Sequence, residues 1–307
     1  MMSIRSAITT LSASIITIVL MSPALQAHQH EKKENKEETS EKLSLVSNEI
    51  AENLFMISGQ GGFTGGNVVL VVGKQHAVLI DDKIAKMEKP LIDIVQSITD
   101  RPISFLVNTH LHNDHTGNNA AIAKQHTHIV GHSNVRKRMQ KDTKTYSEEA
   151  LPKLTYLDSM ALYVADQPAI LIHAPKAHTD GDSFVVFKES NVIHAADLFF
   201  NELFPFIDLS SGGSVQGYLA GQKRILMISN DETIIVPGHG KLGNKKELQT
   251  MHDMLVDAVD IVKTAKEKGI SLAKLKEDKV LEKYKSYSWG FVSSEKMIEQ
   301  LFNDTSI

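Results

Sequence analysis

The sequence predicts an α/β protein in which two sheets pack on each other with helices outside. Three observations lead there. Short apolar runs punctuated by glycine recur along the chain, as strands do. Stretches of helical periodicity fall between and after them. Each half also follows one plan: strands, a metal-type residue on a loop after a strand, then helix.

The elements follow in order. From Ile50 the runs "NLFMISG", "NVVLVVG" and "AVLIDD" read as strands, broken by Gly61, Gly62, Gly65, Gly66 and Gly73. A helix is predicted from Lys89 to Asp100, with Leu91, Ile92, Val95 and Ile98 on one face. "ISFLVNT" is a buried strand, and short helices and strands alternate from there to Arg138. Strands return from Leu154 to Ile172 and in "SFVVFK", "NVIHAAD" and "ETIIVPG". Lys245 to Lys268 is a long amphipathic helix, with Gly269 as its C-terminal cap and Ser271 capping the next helix.

Composition narrows the chemistry. The 307 residues are 42% hydrophobic and 23% charged, enough apolar side chain for a large core. A net charge of -4 without a large basic block gives no reason to expect nucleic acid as a partner; a small-molecule substrate is expected instead. There is no cysteine, which excludes disulfides, thiolate ligands and a cysteine nucleophile.

The N-terminus reads separately. Arg5 is followed by an apolar stretch from Ala7 to Met21 and then by small residues. Residues 1–27 are therefore expected to be a secretory signal peptide, cut after Ala24 or Ala27. The run is short for a spanning helix, so no stable membrane anchor is expected after cleavage. The mature chain would be periplasmic or secreted. Residues 28–47 are expected to form a charged flexible tail, and 48–307 the folded domain.

"NTHLHNDHTG" places His110, His112, Asp114 and His115 within six positions, directly after an apolar strand. Imidazole and carboxylate both suit zinc. His178 in "KAHTDGD", Asp197 in "IHAADLFF" and His239 in "VPGHG" sit at further strand ends beside glycine or small residues. The other histidines lack that grouping. His194, three residues from Asp197, would face the opposite side of a regular strand.

The order H-x-H-x-D-H, then "HTDGD", "AADLF" and "PGHG", with Asp81 in "VLIDD", resembles the metallo-β-lactamase superfamily from about Leu54 to Gly240. The resemblance implies a four-layer αββα sandwich with C-terminal helices and two zinc ions per chain. His110, His112 and His178 would hold the first ion. Asp114, His115 and His239 would hold the second, with Asp197 bridging. Asp81 would brace the cluster loop; Thr109 and Thr179 would do the same or be plain loop residues. The implied chemistry is attack by a metal-bridging hydroxide on an ester, thioester, lactone or amide carbonyl, with Asp114 both ligand and acceptor of the hydroxide proton.

Departures from known branches bear on the substrate. The largest zinc β-lactamase branch carries cysteine at the place of Asp197 and lysine at the place of Phe200. Glyoxalase II-type thioesterases share the aspartate but need a basic set, for which only Lys241, Lys245 and Lys246 offer themselves. Exported zinc hydrolases of the superfamily are the nearest in "FPFIDLSSGGS" and "SWGF". Phe63 and Thr64 would then form a flap, and Phe200 and Phe204, with Phe199 and Phe206, would wall an apolar pocket; ordinary core is the alternative for these aromatics. Trp289 is expected to pack the C-terminal helices. The competing activities are β-lactam hydrolysis and an iron-dependent oxidation on the same fold. The diiron branch has glutamate where this chain has His112.

Overall fold

The computed structural model describes residues 42–163 and 167–307. The expected signal peptide, and the tail from 28 to 41, lie outside the described residues. The folded domain starts before the expected boundary at 48. β1 (Ser44–Ala51) already pairs antiparallel with β2 (Leu54–Gln60), from Ser44 opposite Gln60 onward. As an edge strand, β1 carries the polar residues Ser47, Asn48 and Glu49, which made its start read as tail.

The first sheet continues with β3 (Val68–Val72), β4 (Ala77–Ile80), β5 (Ile103–Asn108), β6 (His128–His132) and β7 (Leu154–Tyr156), in sequence order. It is antiparallel up to β4 and parallel beyond. The parallel part needs crossovers. These carry α1 (Glu88–Ile98), α2 (Asn113–Thr116), α3 (Asn119–Ala123) and α4 (Ser133–Lys141). The second sheet holds β8 (Ser159–Leu162), β9 (Ala169–His173), β10 (Ser183–Phe187), β11 (Val192–Phe200), β12 (Ile234–His239) and β13 (Gly243–Asn244), again in sequence order. Only β11 and β12 are parallel, and α5 (Val215–Ile228) connects them. Three helices close the chain: α6 (Lys245–Glu267), α7 (Leu272–Glu277) and α8 (Ser294–Asn303).

Alternation along the strands separates the layers. Val69, Val71, Val78 and Ile80 face Leu171, Val185 and Phe187 of the other sheet in one core. Their neighbours Val68, Leu70, Ala77 and Leu79 point outward against Leu91 and Val95 of α1. On the far side, Phe184, Ile193 and Ala195 pack against Leu248, Leu255 and Val262 of α6 and Leu301 of α8. The result is αββα. The predicted C-terminal cap of α6 holds as well, and the structure adds a cap at its start. Asn244 and Glu247 form a capping box at its start, and Gly269 beyond its end takes φ +74°.

The alternation breaks at one functional place. Ala196 has φ +47°, and the register with β12 slips between His194 and Ala196. This bulge inserts one residue, so His194 and Asp197 turn to the same side. The expectation that His194 faces away is corrected: it is fully buried, with Nε2 3.8 Å from Asp81 Oδ2.

His132 and His173 join β6 and β9 by stacking at 3.7 Å. His132 Nε2–H donates to the Leu157 carbonyl, and Nδ1 accepts from Asn134 N at the start of α4. Accepting at Nδ1 needs the neutral ring. Burial, and then the neighbouring His173, bring its pKa down to about 4; Asp180 pulls upward and Lys137 downward. The unfolded chain, with histidine near 6.5, takes up protons that the fold refuses. This group's contribution is full above about pH 6.5 and is lost as pH falls towards 4. Urea midpoints of the wild type are therefore expected to fall more steeply from pH 7 to 4.5 than those of His132→Gln. Parallel declines would contradict this.

Candidate metal centre

β5 ends at Asn108, and the chain leaves the sheet carrying His110 and His112; α2 then turns Asp114 and His115 inward. Asp81, at the end of β4, holds this loop. Its carboxylate accepts from Thr109 N at 2.8 Å, Thr109 Oγ1 at 2.7 Å and His115 Nδ1–H at 2.7 Å. The Thr109 hydroxyl proton is thereby used, so Oγ1 accepts from His110 Nδ1–H at 3.0 Å. That leaves His110 Nε2 free to act as a donor to metal. Burial alone would raise the Asp81 carboxyl, but His115 and His194 hold it far below the usual range.

The other half repeats the device. Asp182 accepts from Thr179 N and Thr179 Oγ1, each at 2.7 Å, and so fixes the loop carrying His178. His178 Nδ1–H donates to the Phe206 carbonyl, which leaves Nε2 facing inward, 2.8 Å from His112 Nδ1. His112 is braced in turn by Asp208, whose Oδ2 lies 3.1 Å from Nε2.

All seven predicted ligand residues meet. One group joins His110, His112, His178 and Asp197; a second joins Asp114, His115 and His239. Asp197 faces both. Its Oδ2 lies 3.3 Å from His178 Nε2 and 3.7 Å from His110 Nε2, and its Oδ1 lies 3.1 Å from His115 Nε2 and 3.5 Å from His239 Nε2. His239 Nε2 is also 3.3 Å from Asp114 Oδ2.

The arrangement fits cations. His110 Nε2 and Asp197 Oδ1 are buried without a hydrogen-bond partner, a costly state unless something else satisfies them. Burial would discharge His239, yet Asp197 and Asp114 raise it to about 9. Carboxylates that draw protons onto imidazoles draw metal cations in the same way. Two glycines make room: a Cβ on Gly66 would sit 2.0 Å from the His115 ring, and one on Gly238 would sit 1.9 Å from Asp197 Oδ1.

A cavity of about 350 Å³ opens onto both groups. Phe63 and Phe200 line it, as expected from the sequence, and so does Phe206. Three pocket assignments are corrected, and the first is Phe199, which is fully buried in the core beneath α6 and does not line the cavity. Phe204 is fully buried beneath the wall, against Tyr287. Thr64 packs on Gly59 instead of facing this cavity. Trp289, expected among the C-terminal helices, lines the cavity 5.7 Å from the His239 ring. None of Lys241, Lys245 and Lys246 reaches it; Lys245 donates to the Ser229 carbonyl and Lys241 lies beside Glu202.

Sequence reasoning passed over Asp208, His194 and Lys83. Lys83 is buried two residues after Asp81, at φ +72°, and its Nζ has no hydrogen-bond partner. Burial brings its ammonium down to about 7 against the pull of Asp114 and Asp81. A lysine directly after "IDD" at a strand end was the one available signal.

Comparison with known proteins agrees with this architecture. The family model described as the metallo-β-lactamase superfamily matches residues 61–280. Among solved structures the chain is similar to a metallo-β-lactamase from Pontibacter korlensis, with TM-score 0.59 and 17% identity, covering 69% of this chain and 99% of that one. It is also similar to the DIM-1 metallo-β-lactamase, with TM-score 0.60 and 16% identity, covering 70% and 98%. At such identity the likeness concerns the fold. No curated protein sequence matches the chain significantly. With the family model matching residues 61–280, most of its length, the chain belongs to the metallo-β-lactamase superfamily.

Proposed function

We propose that the chain is an exported dinuclear zinc hydrolase of carboxylic derivatives: esters, thioesters, lactones or amides. The observation that carries this reading is Asp197, whose two oxygens face two separate donor groups of three histidine or aspartate residues each. Nitrogen and oxygen donors without thiolate suit zinc, which supplies Lewis acidity and a water that ionises near neutral pH. His110, His112 and His178 would hold one ion, and Asp114, His115 and His239 the other.

The residues then divide the work. Asp81, Asp208 and the Phe206 carbonyl fix imidazole orientation, so the donors need no reorganisation. Asp114 reaches the cavity wall with a carboxyl held low, to about 2: burial raises it, and His115 and His239 more than compensate. It is the base available to a proton released at that wall. The aromatic lining keeps bulk water from the reacting carbonyl. Export rests on the N-terminal Arg5 and the apolar run after it.

β-Lactam hydrolysis is the second reading, favoured by the solved structures of similar fold. Against it, Phe200 stands where that branch pairs a lysine with the drug's carboxylate, and among the described residues no lysine or arginine lines the cavity. The test is a screen of the zinc-loaded chain against aryl esters, acyl thioesters, lactones and β-lactams. Turnover of at least one non-β-lactam is expected, abolished by a chelator and restored by zinc. Turnover confined to β-lactams, or appearing only with iron and oxygen, would overturn the proposal.

A further inference from the structure

The cavity over the metal donors has an unusual wall. Apart from the donor residues, the described residues that form it are Phe63, Ile84, Phe200, Phe206, Trp289 and Phe291, with Asn113 the single added polar group among them. Phe63 and Phe291 are each 52% exposed, which puts bare aromatic rings at the mouth. Stray apolar side chains on a surface need no explanation, but a contiguous set leading into a metal cleft does.

Distant parts of the chain build this wall and hold it in place. Trp289 Nε1–H donates to the Phe204 carbonyl at 2.9 Å, and Phe204 N donates to the Tyr287 carbonyl at 2.7 Å. Gln300 of α8 accepts from Ile207 N at 2.9 Å. The Phe204–Asp208 loop, which also orients His112 and His178, is thus tied to the segment presenting Trp289 and Phe291. Phe291 meets Phe206 edge-on at 5.1 Å, and Phe200 stacks on His239 at 5.0 Å. A wall braced in this way is preorganised to receive a flat or extended apolar group.

Charge argues the same way. Lys296 is not part of the lining; its Nζ lies 3.8 Å from the centre of the Phe291 ring and 5.1 Å from that of Phe206. A substrate carboxylate pushed against this wall would lose its hydration without gaining a partner, which is costly. An uncharged acyl chain would gain free energy at each buried methylene.

We infer, resting on the hydrolase reading above, that this cavity selects uncharged carboxylic derivatives bearing an apolar acyl chain, and that Trp289 and Phe291 are its specificity-determining residues. The reacting carbonyl sits at the donor groups while the acyl chain lies along Phe206, Trp289 and Phe291.

Trp289 is the only tryptophan of the chain, so its emission reports on the cavity whether or not turnover occurs. Two series are measured on the zinc-loaded full chain: p-nitrophenyl esters from acetyl to octanoyl, and methyl ketones of matching length, which cannot be hydrolysed. The kcat/KM values are expected to rise about three- to fourfold per added methylene until the cavity is full. Ketone affinity, read from Trp289 emission, should rise in the same order. Phe291→Ser and Trp289→Phe should flatten the ester slope, while Met227→Ser, on the exposed face of α5, should keep it. A flat slope in the wild type would overturn the inference. So would a preference for acyl chains ending in a carboxylate, lost in Lys296→Met, because the mouth would then be an anion site. If no ester is turned over, the hydrolase reading loses its ester branch and is decided by the thioesters and lactones of the screen above. The ketones still decide this inference: a length-dependent emission change upholds it, and no change at any length overturns it.

Discussion

Asp197→Ala is expected to lower hydrolysis at least about a hundredfold, in line with the loss of a group that tunes a metal site. The carboxylate lies between imidazoles of both donor groups, within 3.1–3.7 Å of four ring nitrogens. Without it, two cations would face each other with less negative charge between them, and the second group would keep only Asp114, His115 and His239. Folding should survive, because alanine fits the strand and removes the group closest to Gly238. Asp197→Cys discriminates further. Sulfur would hold one ion and could not span two as a carboxylate does, so a folded protein of reduced activity is expected. Full activity and full metal content in Asp197→Ala would make the residue structural and would redraw the site.

The second large effect is expected at Asp81, which touches no predicted ligand atom that faces a metal. Asp81→Ala would strand three buried donors: Thr109 N, Thr109 Oγ1 and His115 Nδ1. It would also remove the carboxylate that lies 3.8 Å from the buried Nε2 of His194. Removing one partner of a buried charged pair costs about 3–5 kcal/mol. Losing the brace of a ligating histidine weakens metal affinity by about 10- to 100-fold. Denaturant midpoints and metal competition check the two parts separately. Asp81→Asn keeps the shape but offers an NH₂ to donors, so it should fall between alanine and wild type. Stability of Asp81→Ala within about 1 kcal/mol of wild type would contradict this account, since an unpaired buried donor alone costs that much or more.

The fold was legible because its strands are short apolar runs cut by glycine, apolar on both faces because a layer covers each side. "NVVLVVG" sends Val69 and Val71 to one core and Val68 and Leu70 to another, and "AVLIDD" does the same. The meeting of the seven donors was legible for a related reason: six of them sit at or after the end of a strand, where two packed sheets converge on one edge, while Asp197 lies past the bulge inside β11 rather than at the strand end expected for it. What escaped depended on contacts between remote segments. The Ala196 bulge reversed the side of His194, and nothing in "NVIHAAD" marks a left-handed alanine. Asp208 braces His112 across 96 positions of chain, which local spacing cannot show. Trp289 and Phe204 exchanged their expected places because the indole N–H needed an acceptor. It found the Phe204 carbonyl, which turned the indole towards the cavity and left the Phe204 ring in the core. The first half of β1, up to Ser47, was read as tail because an edge strand tolerates polar residues on its open side.

The central claim is a two-ion centre bridged by Asp197. A native mass spectrum of the chain with zinc in modest excess tests it most directly, recorded beside that of Asp197→Ala. The account predicts two tightly held ions in the wild type and at most one in the variant. A wild type that never takes up more than one tightly held ion, or a variant that still holds two, would contradict it.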